Sequence, residues 1–246
     1  MNGDNLKITL AHSPDADDAF MFYALASNLI DTHGLEFEHH LKDIQSLNEE
    51  ARSETYDVTA LSFAVYPEVA GRYALLSSGA SIGDGYGPIV VAANPMRADV
   101  LHAKKVAIPG ADTSAFIALK LFAPDVETEV MDFDEVQHAV LDGRVDAGVI
   151  IHEGQLTFSD LGLHQVVDLG AWWKEETSLP LPLGCNSIRR SLGDELMTLI
   201  SRILRESIQY SLDNREAALD YALGFGRGLD RERADRFVGM YVNELT

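Results

Sequence analysis

Residues 145–154 read Val-Asp-Ala-Gly-Val-Ile-Ile-His-Glu-Gly, an apolar run from Ala147 to Ile151 that ends on His152. Imidazole titrates near neutral pH, so a histidine delivered to the exit of a buried strand has the chemistry of a general base. A lone histidine at a strand end is more often a solvated boundary residue, and the assignment therefore needs a ligand site around it. Three other places put a hydroxyl where an apolar strand gives way to a helix. They are Ser13 in His-Ser-Pro-Asp-Ala-Asp-Asp-Ala-Phe, Ser62 in Ala-Leu-Ser-Phe-Ala-Val-Tyr, and Thr113 with Ser114 in Pro-Gly-Ala-Asp-Thr-Ser-Ala-Phe. A helix N-terminus presents unpaired N–H groups and a positive dipole end, and a hydroxyl adds a donor, so three such ends suit one carboxylate or phosphate. Each residue taken singly is better explained as a helix cap. The functional reading rests on all three occurring in one chain.

Other chemistries find less support. The carboxylates of Asp15-Ala-Asp-Asp18 are of the type that hard cations prefer, but they lack the spacing of a calcium loop and equally stabilise a helix start. His39 and His40 are neighbours on a strand and must face opposite ways. Cys185 is the single cysteine, which excludes a disulfide within the chain and a cysteine-rich metal site, and its place between Gly184 and Asn186 reads as packing. The run Gly83-Asp-Gly-Tyr-Gly-Pro88 leads into a strand rather than a helix, so it is a loop beside a domain crossing and not a phosphate loop. No Gly-x-Ser-x-Gly elbow and no Walker-type lysine occurs. Trp172-Trp173 reads as core packing or as the aromatic wall of a pocket. Neither a metal nor a cofactor is expected.

The elements that must position these residues alternate. Strand patterns fall at 6–12, 35–41, 56–61, 73–78, 88–93, 104–108, 126–132, 145–151, 164–169 and 182–188. Helical patterns fall between them at 17–29, 43–53, 62–70, 113–122, 134–142 and 170–177. Such alternation predicts an α/β fold with parallel sheets covered by helices, whose strand ends are where ligands bind. Beyond about residue 190 the strands stop. A long helix near 192–212 carries Leu192, Leu196, Leu199, Ile203, Ile208 and Leu212 on one face, and Asn214 and Asp230 are caps for two more. With no flexible linker, two lobes have to be joined by crossing strands. The expected division is a discontinuous lobe of residues 1–91 plus 188–246 and a second lobe of 92–187.

The 246 residues carry a formal charge of -20 and are 46% hydrophobic. That field repels phosphate, which argues against nucleic acid or an anionic membrane as partner, so an anionic ligand must be held by local donors. Residues 1–10 show no basic start or long apolar stretch, and no run approaches the ~20 residues of a membrane span, so the expected location is the cytoplasm. The expected state is monomer or homodimer.

Several of these segments together resemble a known family. They are Ser13-Pro14 with Asp18 and Phe20, Tyr-Asp-Val-Thr-Ala-Leu-Ser-Phe at 56–63, Gly87-Pro88, Pro109-Gly110 with Thr113, Ile151-His152-Glu153, and Asp168-Leu-Gly-Ala-Trp-Trp173 through Leu183-Gly184. The set is similar to the 1,4-dihydroxy-6-naphthoate synthases of the futalosine route to menaquinone. The resemblance implies a two-lobed fold of the type II periplasmic-binding-protein kind with a ligand cleft between lobes. It implies a lyase that converts cyclic dehypoxanthine futalosine to 1,4-dihydroxy-6-naphthoate and dihydroxyacetone. It assigns the base to His152 and substrate contacts to Ala60, Leu61, Ser62, Thr113 and Ser114, to which the first strand end adds Ser13 and Asp18. Some members carry Lys where this chain has Ala60, and relatives continue somewhat beyond the point matching Thr246. Two other readings share the fold: a solute-binding protein for a small organic anion, and the sister chorismate dehydratase of the same route.

Overall fold

The computed structural model describes residues 6–243 and 246. The first five residues of the N-terminal stretch and residues 244 and 245 of the tail lie outside the described residues. The chain separates into two compact units, one of residues up to Ser81 together with those from Gly184 onward, the other Ile82–Leu183.

In chain order the first unit opens with β1 (Leu6–His12), α1 (Ala16–Ala26), β2 (Leu35–Leu41), α2 (Ile44–Ala51), β3 (Val58–Ser62), α3 (Tyr66–Val69), β4 (Tyr73–Leu75) and β5 (Ser81–Gly83). The second unit contains β6 (Ile89–Ala92), β7 (Lys105–Ile108), α4 (Ser114–Phe122), β8 (Glu127–Val130), α5 (Val136–Leu141), β9 (Ala147–Ile150), α6 (Gly154–Thr157), β10 (His164–Asp168) and α7 (Leu169–Thr177). The chain then returns through β11 (Leu181–Arg189) to α8 (Asp194–Asp213), α9 (Arg215–Ala222) and α10 (Arg231–Tyr241). Both breaks between units fall inside strands, β5 and β11, so the crossings lie at 81/82 and 183/184 rather than at 91/92 and 187/188. The reason is that β6 does not cross; it pairs with β9 and β10 inside the second sheet.

The first sheet runs β2-β1-β3-β11-β4 and the second β10-β6-β9-β7-β8. Strands joined by helices are parallel, as crossover geometry requires: β1 with β2 and β3, and β7 with β8 and β9. The sheets are nevertheless mixed rather than parallel throughout. Antiparallel pairing joins β11 to β3 and β4, and β6 to β9 and β10. No single helical crossover links these partners along the chain, so nothing ties their direction.

The central strands of the second sheet, β6, β7 and β9, are buried on both faces by strict alternation. Val90, Val106, Ile108 and Val149 meet Leu119 and Leu169 on one side, while Ile89, Val91 and Ala107 meet Val136, Ala139 and Val140 on the other. In the first unit α1 is buried along most of its length, including Phe20, Met21 and Phe22. On α8 the buried stripe is Ile200, Ile203, Leu204, Ser207, Ile208 and Ser211. It is rotated from the expected one because two serines belong to it; Ser207 Oγ donates to Met21 O at 2.8 Å. A pattern built only from apolar residues misses that satisfied polar contact. The expected helix 62–70 is a turn followed by the four residues of α3.

Candidate active site

Because β7 and β9 are parallel neighbours, the segment after Ile108 and the segment after Ile150 leave the second sheet at the same edge. His152 lies two residues past β9, half-buried, with φ +54°, a left-handed conformation that costs a β-carbon-bearing residue about 1 kcal/mol. The turn that holds it is tight: Gln155 N donates to His152 O at 3.1 Å. A Cβ on Gly154 would stand 2.5 Å from both Gln137 Nε2 and Ile150 Cγ2. The imidazole is edge-on to Phe133, with ring centroids 5.2 Å apart. Its neighbour Glu153 is buried instead.

At the other exit of this edge Thr113 caps α4. Its Oγ1 accepts from Phe116 N at 3.1 Å and donates to Gly110 O at 2.9 Å. Ser114 Oγ donates to Leu183 O at 2.6 Å. Both hydroxyl protons are thus engaged within the unit. At the start of α4 the N–H of Ala115 precedes the first helical hydrogen bonds. The family segment around Asp168 is structural in the same way. Asp168 Oδ1 caps α7 through Gly170 N at 2.9 Å and Ala171 N at 3.0 Å, and burial raises its carboxyl pKa. Gly170 touches the Tyr86–Gly87 backbone so closely that a Cβ would lie 1.9 Å from Tyr86 O.

In the first unit β1 and β3 are parallel neighbours, so the segments after His12 and Ser62 also share an edge. Ser62 is held by a residue that the motifs did not reveal. Asn48, fully buried on α2, accepts Ser62 N–H at Oδ1 (2.8 Å) and donates from Nδ2 to Ser62 Oγ (2.9 Å). The backbone N–H can only donate, which fixes the amide orientation and makes Ser62 Oγ an acceptor. The O–H of Ser62 then has no acceptor among the described residues. The side chains of Leu61 and Ala60 belong to the core: Leu61 is fully buried, and the Ala60 methyl packs with Ala11, Leu47 and Tyr56.

The Ser13 turn departs most from expectation. Ser13 does not open α1; Asp15 caps it, accepting from Asp18 N. Asp18 turns back so that its Oδ2 accepts Ser13 N–H at 2.7 Å. Burial and the neighbouring Asp15 hold the Asp18 carboxyl well above the usual carboxylate range, against the opposing Ser13 hydrogen bond. Asp18 therefore serves as a buried partner of Ser13. Beside it stands His12, also unmarked by the sequence reading, with its ring on Phe22 (centroids 4.7 Å) and on His39 (5.4 Å). His40 faces the other way, onto Tyr56. The Ser13 hydroxyl makes no hydrogen bond among the described residues.

Cys185 is buried in the first unit, and burial pushes its thiol up to about 12, which removes it as a nucleophile at neutral pH. Among the described residues no group of three or more His, Cys, Asp or Glu is placed to hold a metal ion. No helix among them is long and apolar enough to cross a membrane. A groove of about 650 Å³ in the second unit lies at the opposite edge, near the amino ends of β7 and β9, lined by Arg97, Lys104, Lys105 and Arg144. Three of these cations are already paired, with Asp99, Asp146 and Glu129.

Comparison with known proteins agrees with this fold and extends it. A family model described as "Menaquinone biosynthesis" matches residues 8–246. The chain is 40% identical over 239 residues to the 1,4-dihydroxy-6-naphtoate synthase of Thermus thermophilus, covering 97% of this chain and 87% of that protein. A crystal structure of an Archaeoglobus fulgidus protein superposes with a TM-score of 0.92 at 50% identity, over 97% of this chain and 89% of the other. The alkanesulfonate-binding protein of Xanthomonas axonopodis, solved with MOPS, superposes with a TM-score of 0.73 at 12% identity, over 98% and 85% of the two chains. At that identity the likeness is one of fold, and it gives this α/β chain the architecture of the periplasmic solute-binding proteins. With the family match spanning nearly every described residue, the chain belongs to the menaquinone biosynthesis family.

Proposed function

We propose that the protein is a 1,4-dihydroxy-6-naphthoate synthase, a carbon–carbon lyase that converts cyclic dehypoxanthine futalosine to 1,4-dihydroxy-6-naphthoate and dihydroxyacetone. The observation that carries this reading is the 40% identity to a synthase of that name over almost the whole chain. The site supplies chemistry of the right kind. His152 is the base: it removes a proton from the substrate, the bond to the three-carbon fragment breaks, and the ring becomes aromatic. Such a sequence asks for a placed base and for hydrogen-bond donors, and for no electron transfer. In the first unit the hydroxyls of Ser13 and Ser62, and in the second the N–H of Ala115 at the start of α4 beside Thr113 and Ser114, are donors of the kind that the substrate carboxylate and oxygens require. A small-molecule carboxylate is then the partner, and the reading places the enzyme in the cytoplasm as a monomer or homodimer.

The test is to give the purified protein cyclic dehypoxanthine futalosine and, separately, chorismate. Release of the dihydroxynaphthoate from the first and no turnover of the second is the expected result. Dehydration of chorismate would reassign the enzyme to the sister reaction. Tight binding of an organic anion with turnover of neither would make it a solute-binding protein.

A further inference from the structure

His12 and His39 form a hydrogen-bonded pair whose proton positions follow from one fixed acceptor. His12 Nδ1 lies 3.0 Å from Ser13 O, and a carbonyl only accepts, so Nδ1 carries the proton and Nε2 is bare. That bare nitrogen is 3.1 Å from His39 Nδ1, which must then be the donor. His39 is left with its lone pair on Nε2, a buried atom with no hydrogen-bond partner. His12 is thereby neutral and in one tautomer, and burial, with His40 beside it, lowers the His39 pKa, so that ring also stays uncharged with its proton on Nδ1. Two elements are needed to build the pair: β1 places His12 at its last residue, and β2, in register with Leu10 opposite His39, sets the second ring on the same face one diagonal step away. Phe22 of α1 closes one side, and Asp18 Oδ2 stands 4.0 Å from His12 Nδ1. Burial and His39 lower the His12 pKa to about 4, which agrees with a ring that stays uncharged.

The result is that Ser13 is gripped at both ends of its backbone, its N–H by Asp18 and its carbonyl by His12. We propose that His12 is a positioning residue for Ser13: kept neutral and in a single tautomer by His39, it fixes the turn so that the Ser13 hydroxyl stays directed to the substrate. The proposal rests on the reading of Ser13 as a substrate-binding group.

Asparagine at position 12 puts an amide N–H where His12 has Nδ1, whereas phenylalanine fills the ring volume and has no donor. His12→Phe is expected to raise KM about tenfold, the worth of one well-placed hydrogen bond, with kcat nearly unchanged. His12→Asn is expected to restore KM to within about twofold of the wild type. His39→Phe is expected to raise KM a few-fold in the wild type and to have no further effect in the His12→Asn background, because the tautomer it sets no longer exists there. Nitrogen-15 NMR of labelled histidine is expected to show both rings neutral and protonated on Nδ1. A folded His12→Phe enzyme with wild-type KM, or His12→Asn as impaired as His12→Phe, overturns the proposal. So does a His12 proton on Nε2, a result available from the wild type alone if His12→Phe does not fold. Failure of the wild type to turn over the substrate removes the functional reading and with it the role of Ser13, while the NMR result still decides whether the tautomer relay exists.

Discussion

Two histidines stand at strand exits in this molecule, and they have almost nothing else in common. His12 is the last residue of β1, its side chain 4% exposed, with one ring nitrogen on a carbonyl and the other on His39. His152 follows β9 by two residues, is half-buried, and sits in a left-handed turn with Phe133 at the edge of its ring. The difference shows what a strand exit does and does not decide. It brings a side chain to the edge where ligands bind, but the next few residues determine whether that side chain faces a ligand or becomes a strut. After β1 the chain turns straight into α1, and Asp18 and Phe22 close over the ring. After β9 the close approach of Gly154 to Gln137 and Ile150 accompanies a sharp turn in which His152 is left half-buried.

If that contrast is correct, removing the two rings has unlike consequences. His152→Ala is expected to lower kcat by about a thousandfold while substrate binding changes only a few-fold, as for loss of a general base. Single-turnover kinetics beside calorimetric binding would check it, and near-normal turnover in the variant would break the comparison at once. For His12 the larger effect is on stability in acid. Its folded pKa of about 4 lies below the ~6.5 of an unfolded histidine, so the unfolded chain binds the proton first. The stabilisation is therefore fully present above pH ~6.5 and is lost as pH falls through about 4, amounting to about 3 kcal/mol. Asp18 acts in the opposite sense, since its raised pKa favours the folded state at low pH and that contribution fades as pH rises through it. Urea denaturation at a series of pH values should show His12→Asn losing about 3 kcal/mol less than the wild type between pH 6.5 and 4. Parallel curves for the two proteins would mean that the ring is not held neutral.

Much of the scaffold was legible because its elements are short and strongly patterned. Strands β1, β2, β7 and β9, and helices α4 and α7, lie within a residue or two of where periodicity put them. The opposed faces of His39 and His40 also followed from strand geometry alone. What sequence did not carry was the use of polar atoms inside the fold. Asn48 lies in a helix whose pattern gives Ile44, Leu47 and Ala51 as its inner face and leaves Asn48 for solvent, yet it is fully buried because Ser62 satisfies both ends of its amide. The serines of α8 misled in the same way. Strand direction was also hidden: nothing in residues 89–92 or 181–189 announces that they pair antiparallel, since a strand buried on both faces reads the same either way. His12 could have been found by the argument that singled out His152, as a polar residue closing an apolar strand, but the chain marks no difference between a base and a strut.

The four hydroxyls that suggested a ligand site divide along the same line. Ser62 accepts from Asn48 and has no acceptor for its own proton among the described residues, whereas the Thr113 proton is bound to Gly110 O and its oxygen to Phe116 N. Ser62→Ala is therefore expected to raise KM about tenfold, and it also leaves the Asn48 amide short of one acceptor. Thr113→Ala removes a helix cap, which should lower stability by about 1 kcal/mol and leave KM within about twofold, because the backbone donors of α4 remain. Steady-state kinetics and chemical denaturation of the two variants side by side separate these roles. A tenfold rise in KM for Thr113→Ala at unchanged stability would mean that its hydroxyl leaves Gly110 to meet the substrate. The cap seen here would then be a resting arrangement, and the contrast between the hydroxyls of the two units would vanish on binding.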